Sequence, residues 1–98
     1  MQTAAILQNL HQATELTLRP GLLHIGSAND NNLVISGDGV SDYHAKFVTY
    51  FHQSVLIDLS SQTGTYLNNE RIIRHTVKNG DVIQLGEHIF RIRICPEI

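Results

Sequence analysis

Short runs of β-branched, leucine and aromatic residues alternate along this chain with clusters of glycine, asparagine, aspartate and proline. The clearest run is His88–Cys95, where Phe90, Ile92 and Ile94 fall on one face and Arg91 and Arg93 on the other. That is the period-two pattern of a strand in a sheet with one dry side. Leu16 and Leu18 set against Glu15, Thr17 and Arg19 repeat it. Runs of similar composition predict strands near Ala5–Leu10, Glu15–Leu18, Leu22–Gly26, Leu33–Ser36, His44–Phe51, Ser54–Leu59, Thr65–Leu67 and Val82–Leu85, because such side chains suit a pleated, half-buried surface. Between them lie turn signals at Pro20-Gly21, Asn29 to Asn32, Gly37-Asp38-Gly39, Gly64, Asn68-Asn69, Asn79-Gly80 and Gly86. These leave little room for helices. Asn79-Gly80 is the pair expected to supply the positive φ angles of a tight hairpin. Many short strands with turns between them predict an all-β fold, a β-sandwich of mostly antiparallel strands.

Length and charge narrow what such a sandwich can do. A chain of 98 residues suits one compact domain, spanning 1–98, and any function then comes from one core and its loops. No repeat, low-complexity segment or linker divides it, and it reads equally well as a piece cut from a larger protein. Hydrophobic residues make up 42% and charged residues 16%, which is apolar enough to fold. A net charge of -2 creates no field that collects nucleic acid or anionic lipid, so neither is an expected partner. The single cysteine, Cys95, has no disulfide partner, and the N-terminal MQTAAILQNL lacks the basic start and long apolar run of a secretory signal. A cytoplasmic setting is expected.

The stretch Gly37-Asp38-Gly39-Val40-Ser41-Asp42-Tyr43-His44 raises the question of chemistry. Ser41 and His44 stand three apart, and a serine nucleophile needs a base within hydrogen-bond reach, which makes a small serine hydrolase one hypothesis. The strand-to-helix elbow G-x-S-x-G is missing, since no second glycine follows Ser41 and a strand, not a helix, comes next. The structural reading is that the Ser41 hydroxyl caps a loop while His44 bonds a backbone group at the strand entry. No enzyme activity is therefore expected. The six histidines are scattered without the paired spacing that aims two rings at one ion, and the Asn29 to Asn32 run lacks the glycine and distant glutamate of a calcium loop. Neither a metal nor a cofactor is expected.

A second polar loop, Ser60-Ser61-Gln62-Thr63-Gly64, follows the strand ending at Asp58-Leu59. Its hydroxyl and amide groups suit either a cradle for peptide backbone or the satisfaction of their own turns. Five pieces then stand in order: Ile25-Gly26; an asparagine cluster with Leu33-Val34-Ile35; Val40-Ser41 with His44-Ala45; Asp58-Leu59 and Ser61 with Gly64-Thr65-Tyr66-Leu67-Asn68; and Gly80-Asp81, Ile83 and Leu85-Gly86. This arrangement resembles the forkhead-associated (FHA) domain over nearly the whole chain.

The resemblance implies a sandwich of about eleven strands that binds phosphothreonine peptides with the loops at one end and performs no catalysis. It implies that Ser41 faces the phosphate, that His44 sits behind the loops and holds their shape, and that Gly26 and Gly64 serve backbone geometry. This chain departs from the family at the positions that grip. The family's phosphate-binding arginine is Ser27, the basic or amide residue after the motif serine is Asp42, and the asparagine before the loop glycine is Thr63, next to Gln62. The peptide-binding loops then comprise Ser27, Asn31, Asn32, Ser41, Asp42, Gln62 and Thr63, with Gly26, His44 and Gly64 as support.

A phosphothreonine carries about -1.5 to -2 charges, and each charge-assisted hydrogen bond to it contributes roughly 1.5–3 kcal/mol. Loss of the arginine alone thus costs on the order of a hundredfold in affinity. The expectation is an FHA-type protein-interaction module with a degenerate phosphate site, of a bacterial signalling or secretion assembly, whose partner is a protein or peptide. The competing expectation is a phosphothreonine reader that uses Ser41 and a basic residue from elsewhere, for which Lys46, Arg71 and Arg74 are candidates.

Overall fold

The computed structural model describes residues 3–10, 15–51 and 53–96. Among them there are eleven strands and no helix. In chain order these are β1 (Thr3–Asn9), β2 (Glu15–Leu18), β3 (Gly21–Gly26), β4 (Leu33–Val34), β5 (Ala45–Tyr50), β6 (Gln53–Asp58), β7 (Thr65–Leu67), β8 (Glu70–Ile72), β9 (Arg74–Thr76), β10 (Val82–Leu85) and β11 (His88–Pro96). They form two sheets, a six-stranded one in the order β2-β1-β11-β10-β7-β8 and a five-stranded one in the order β4-β3-β5-β6-β9. Every pairing is antiparallel except β3 with the two-residue β4.

The alternation read from the sequence is what closes the sandwich. On β5, Ala45, Phe47 and Thr49 are buried while Lys46 and Val48 are partly exposed; on β11, Phe90 and Ile92 are buried and Arg91 and Arg93 exposed. The two inner faces bring Ile25, Phe47 and Leu56 against Leu7, Ile83, Leu85 and Ile92 in one core. Only alternate residues reach it, as the pleat requires.

All nine strands expected from the alternation are present, with ends shifted by at most two residues. Two more, β8 and β9, lack the signal: Glu70-Arg71-Ile72 and Arg74-His75-Thr76 are mostly exposed. β9 pairs with β6 at the edge of the five-stranded sheet, and β8 owes its pairing with β7 to the turn before it. Asn68 and Asn69 both have positive φ, 51° and 71°, the signature of a type I′ hairpin, and Leu67 pairs with Glu70 across it. The tight hairpin expected at Asn79-Gly80 is not there. Of that pair only Gly80 has positive φ, and the segment carries the chain from β9 in one sheet to β10 in the other. Gly86 has φ +59° at the first position of the two-residue turn joining Leu85 to His88, where glycine meets no steric penalty.

Candidate functional site

Three loops and one turn meet at one end of the sandwich: residues 27–32 between β3 and β4, residues 35–44 between β4 and β5, residues 59–64 between β6 and β7, and the turn 86–87. Backbone bonds tie the first two together, from Ser27 N to the Ser41 carbonyl at 3.1 Å and from Ala28 N to the Asp42 carbonyl at 3.2 Å. Side chains tie the second to the third. The Gln62 amide donates to Ser41 Oγ at 3.0 Å, and Thr63 Oγ1 donates to the Gly39 carbonyl at 2.5 Å.

His44 lies beneath these loops with no exposed surface. The Ser41 amide donates to its Nδ1 at 3.1 Å, so Nδ1 is the acceptor and the ring proton sits on Nε2. That nitrogen then donates to the Gly64 carbonyl at 2.8 Å. Both nitrogens are thereby engaged with backbone groups, and His44 does not take up the hydrogen bond to Ser41 Oγ that a serine nucleophile needs from its base. Asp58 braces the third loop. Its carboxylate accepts from the Ser61 amide, the Ser61 hydroxyl and the Thr65 hydroxyl, the last at 2.7 Å, while Ser61 Oγ accepts from the Gly64 amide at 3.0 Å.

Gly26 stands where backbones cross. A Cβ there would fall on the Asp42 carbonyl oxygen and come within 2.9 Å of Asn31 Nδ2, so close approach, not an unusual φ, excludes a side chain. Asn31 is buried and its Nδ2 donates to the Ala28 and Asp42 carbonyls, both at 2.8 Å, while its Oδ1 has no hydrogen-bond partner among the described residues. Asn32 turns to β3, accepting from the His24 amide at 2.7 Å. Of the residues singled out in the sequence, Gly26, Ser27, Asn31, Ser41, Asp42, His44, Gln62, Thr63 and Gly64 are thus gathered at one end, and Asn32 is turned toward the strand.

Two of the three departures from the family pattern find each other. Ser27 Oγ donates to Asp42 Oδ1 at 3.0 Å. Nearby, Tyr43 OH donates to both oxygens of the Asp30 carboxylate at 2.9 and 3.0 Å, and this hydrogen bond, aided by the charge of Asp30, holds the phenol above its usual pKa. Sequence alone does not single out Asp30 or Tyr43 as site residues, and it leaves Arg71 as one of three candidate cations, with Lys46 and Arg74. Arg71 lies opposite Tyr66 across β7 and β8, and its side chain reaches back over Gly64, its Nε 2.6 Å from where a Cβ would stand. Lys46 and Arg74 sit elsewhere, paired through Ile57 in the five-stranded sheet.

A sandwich of this topology, with a serine-and-histidine loop packed against a D-x-x-S-x-x-G-T loop, defines the FHA class of recognition modules. The model of the FHA domain matches residues 23–86, and the chain belongs to that family. Among curated relatives, the transcriptional regulatory protein EmbR of Mycobacterium tuberculosis is 31% identical over 94 residues, which are 95% of this chain and 24% of the relative. The chain therefore spans about a quarter of that relative's length. Among solved structures, one from a structural and functional study of phosphothreonine-dependent FHA domain interactions superposes with a TM-score of 0.91 at 29% identity, covering 96% of this chain and 99% of the other. The FhaA FHA domain in complex with the intracellular domain of Rv3910 superposes with a TM-score of 0.86 at 30% identity, covering 91% and 99%.

Proposed function

We propose that this domain is a protein-interaction module of a larger signalling protein and that its loop end binds its partner without requiring phosphate. The carrying observation is the hydrogen bond between Ser27 and Asp42: where the family resemblance implies a guanidinium and a second phosphate donor, this chain has a neutral hydroxyl engaged by a carboxylate. A dianion brought there loses the strongest donors and meets a like charge, which at ~4 Å costs about 1–4 kcal/mol depending on exposure. Thr63, in the place of the family's asparagine, spends its hydroxyl on the Gly39 carbonyl. What remains open to a ligand is the Ser41 O–H, the Gln62 side chain and nearby backbone. Asp30, Asp38, Asp42 and Glu87 add carboxylates to these loops and their turn, a charge balance that disfavours phosphopeptides.

A second reading, a phosphothreonine reader, is favoured by one observation, the reach of Arg71 over Gly64. Calorimetry with matched phosphorylated and unphosphorylated threonine peptides separates the two. The wild type is expected to bind both members of a pair equally, and Ser27→Arg with Asp42→Arg is expected to create a salt-sensitive preference for the phosphorylated one. A wild-type preference for phosphate that Arg71→Ala abolishes would replace the first reading with the second.

A further inference from the structure

The outer face of the five-stranded sheet lies away from the loops and is built unlike the rest of the surface. Register places its outward side chains in rows across the strands. Leu22, Val48, Val55 and Thr76 form one row, in which Val55 is itself buried, and His24, Lys46, Ile57 and Arg74 form the next toward the loop end; Tyr50 and Gln53 pair beyond the first row, at the opposite end. These ten positions include no carboxylate, although the chain as a whole carries a net charge of -2. Lys46 and Arg74 make no ion pair among the described residues; the ion pair found there, Arg93 with Glu15, lies on the other sheet.

Apolar surface accompanies this charge. Leu22 is 58% and Tyr50 48% exposed, and Phe51, in the turn that follows Tyr50, is 87% exposed. Tyr50 and Phe51 meet edge to face with centroids 5.9 Å apart. A solvated outer face ordinarily mixes both signs of charge, as the Arg93–Glu15 side of this domain does, and exposed Leu22, Tyr50 and Phe51 beside two cations without an ion pair among the described residues mark a surface that something covers.

We propose that this face is a second docking surface, which takes an acidic, apolar-anchored segment of a partner protein. Charge complementarity selects the occupant: carboxylates meet Lys46 and Arg74, while apolar side chains rest on Leu22, Val48 and Tyr50. Successive rows are about 7 Å apart along the strands, the spacing of side chains two residues apart in an extended peptide. The segment therefore lies along the strands, with its acidic end toward the loops and its apolar end toward Tyr50. Because the face is separate from the loop end, this inference does not depend on whether the loops read phosphate.

The test is selection of phage-displayed random peptides on the purified domain, followed by amide-shift mapping and affinity measurement with a synthesised selected peptide. Selected peptides are expected to combine aspartate or glutamate with leucine, isoleucine or phenylalanine and to shift the amides of β3, β5, β6 and β9. Lys46→Glu with Arg74→Glu is expected to weaken binding about tenfold or more, with a steep loss in added salt. Should that pair disturb folding by circular dichroism, Lys46→Gln with Arg74→Gln carries the test with a smaller loss. Peptides without acidic bias, binding untouched by these substitutions, shifts confined to the loops, or no selected peptide at all would each overturn the proposal. Self-association of the domain abolished by the charge reversal would also overturn it, by assigning the face to a second copy.

Discussion

His44 Nε2 donates to the carbonyl of Gly64 at 2.8 Å, across twenty residues of sequence, while its Nδ1 accepts from the Ser41 amide. One buried ring thus joins the loop that carries Ser41 to the loop that carries Gln62 and Thr63. His44→Ala leaves a part-buried amide and a buried carbonyl without partners, each worth up to about 1–3 kcal/mol. A lower urea midpoint with unchanged slope is expected, and an unchanged midpoint would remove the ring from its bracing role.

Gly26→Ala drives a methyl group into the Asp42 carbonyl and toward Asn31 Nδ2. The crossing of the two loops must open, at about 1–3 kcal/mol by analogy with overpacked cores. Thermal unfolding measures the loss, and amide shifts at Ala28, Asn31 and Asp42 should report where the strain goes.

At the β7–β8 hairpin the two central residues are not equivalent. Asn68 donates from Nδ2 to Asp81 Oδ1 and accepts from the Val82 amide, both at 3.0 Å, whereas among the described residues no such side-chain bond holds Asn69. Asn69→Gly is expected to be neutral or stabilising by a few tenths of a kcal/mol, since it relieves positive φ. Asn68→Gly is expected to destabilise by about 1–2 kcal/mol through its lost bonds. Equal effects at the two sites would contradict this division of labour.

Tyr43 titrates above an ordinary tyrosine because its hydroxyl donates to Asp30 and the phenolate would face that carboxylate. The folded state therefore holds the proton more tightly than the unfolded chain. This contribution to stability is complete below the unfolded pKa of tyrosine and is lost as pH rises through the folded value. With Tyr43 ring-labelled for NMR, Asp30→Asn should move its titration to lower pH. A titration that stays in place would mean that Asp30 does not set it.

Much of this molecule was legible in the chain itself. Phe90, Ile92 and Ile94 against Arg91 and Arg93 placed a strand and its dry face, because alternation is a local consequence of the pleat and needs no knowledge of the neighbouring strand. The order of loop motifs pointed to the family, and Ser27, Asp42 and Thr63 stood out as departures from it. Those facts require only position along the chain. The strands Glu70–Ile72 and Arg74–Thr76 were not legible, since exposed edge strands carry no burial pattern, and their pairing is imposed by the turn at Asn68-Asn69 and by the sheets they join. Nor did local propensity separate Asn68-Asn69 from Asn79-Gly80 as hairpins. Both pairs tolerate positive φ, and the choice depends on which strands find partners across them.

What the tertiary structure alone decided is proximity. Ser27 and Asp42 are fifteen residues apart and hydrogen-bonded; Arg71 lies over Gly64, while Lys46 and Arg74 share a row on the opposite sheet. Such meetings depend on how two sheets pack and where their loops cross. Their energies come from short-range contacts between distant segments, which residue type and spacing do not encode.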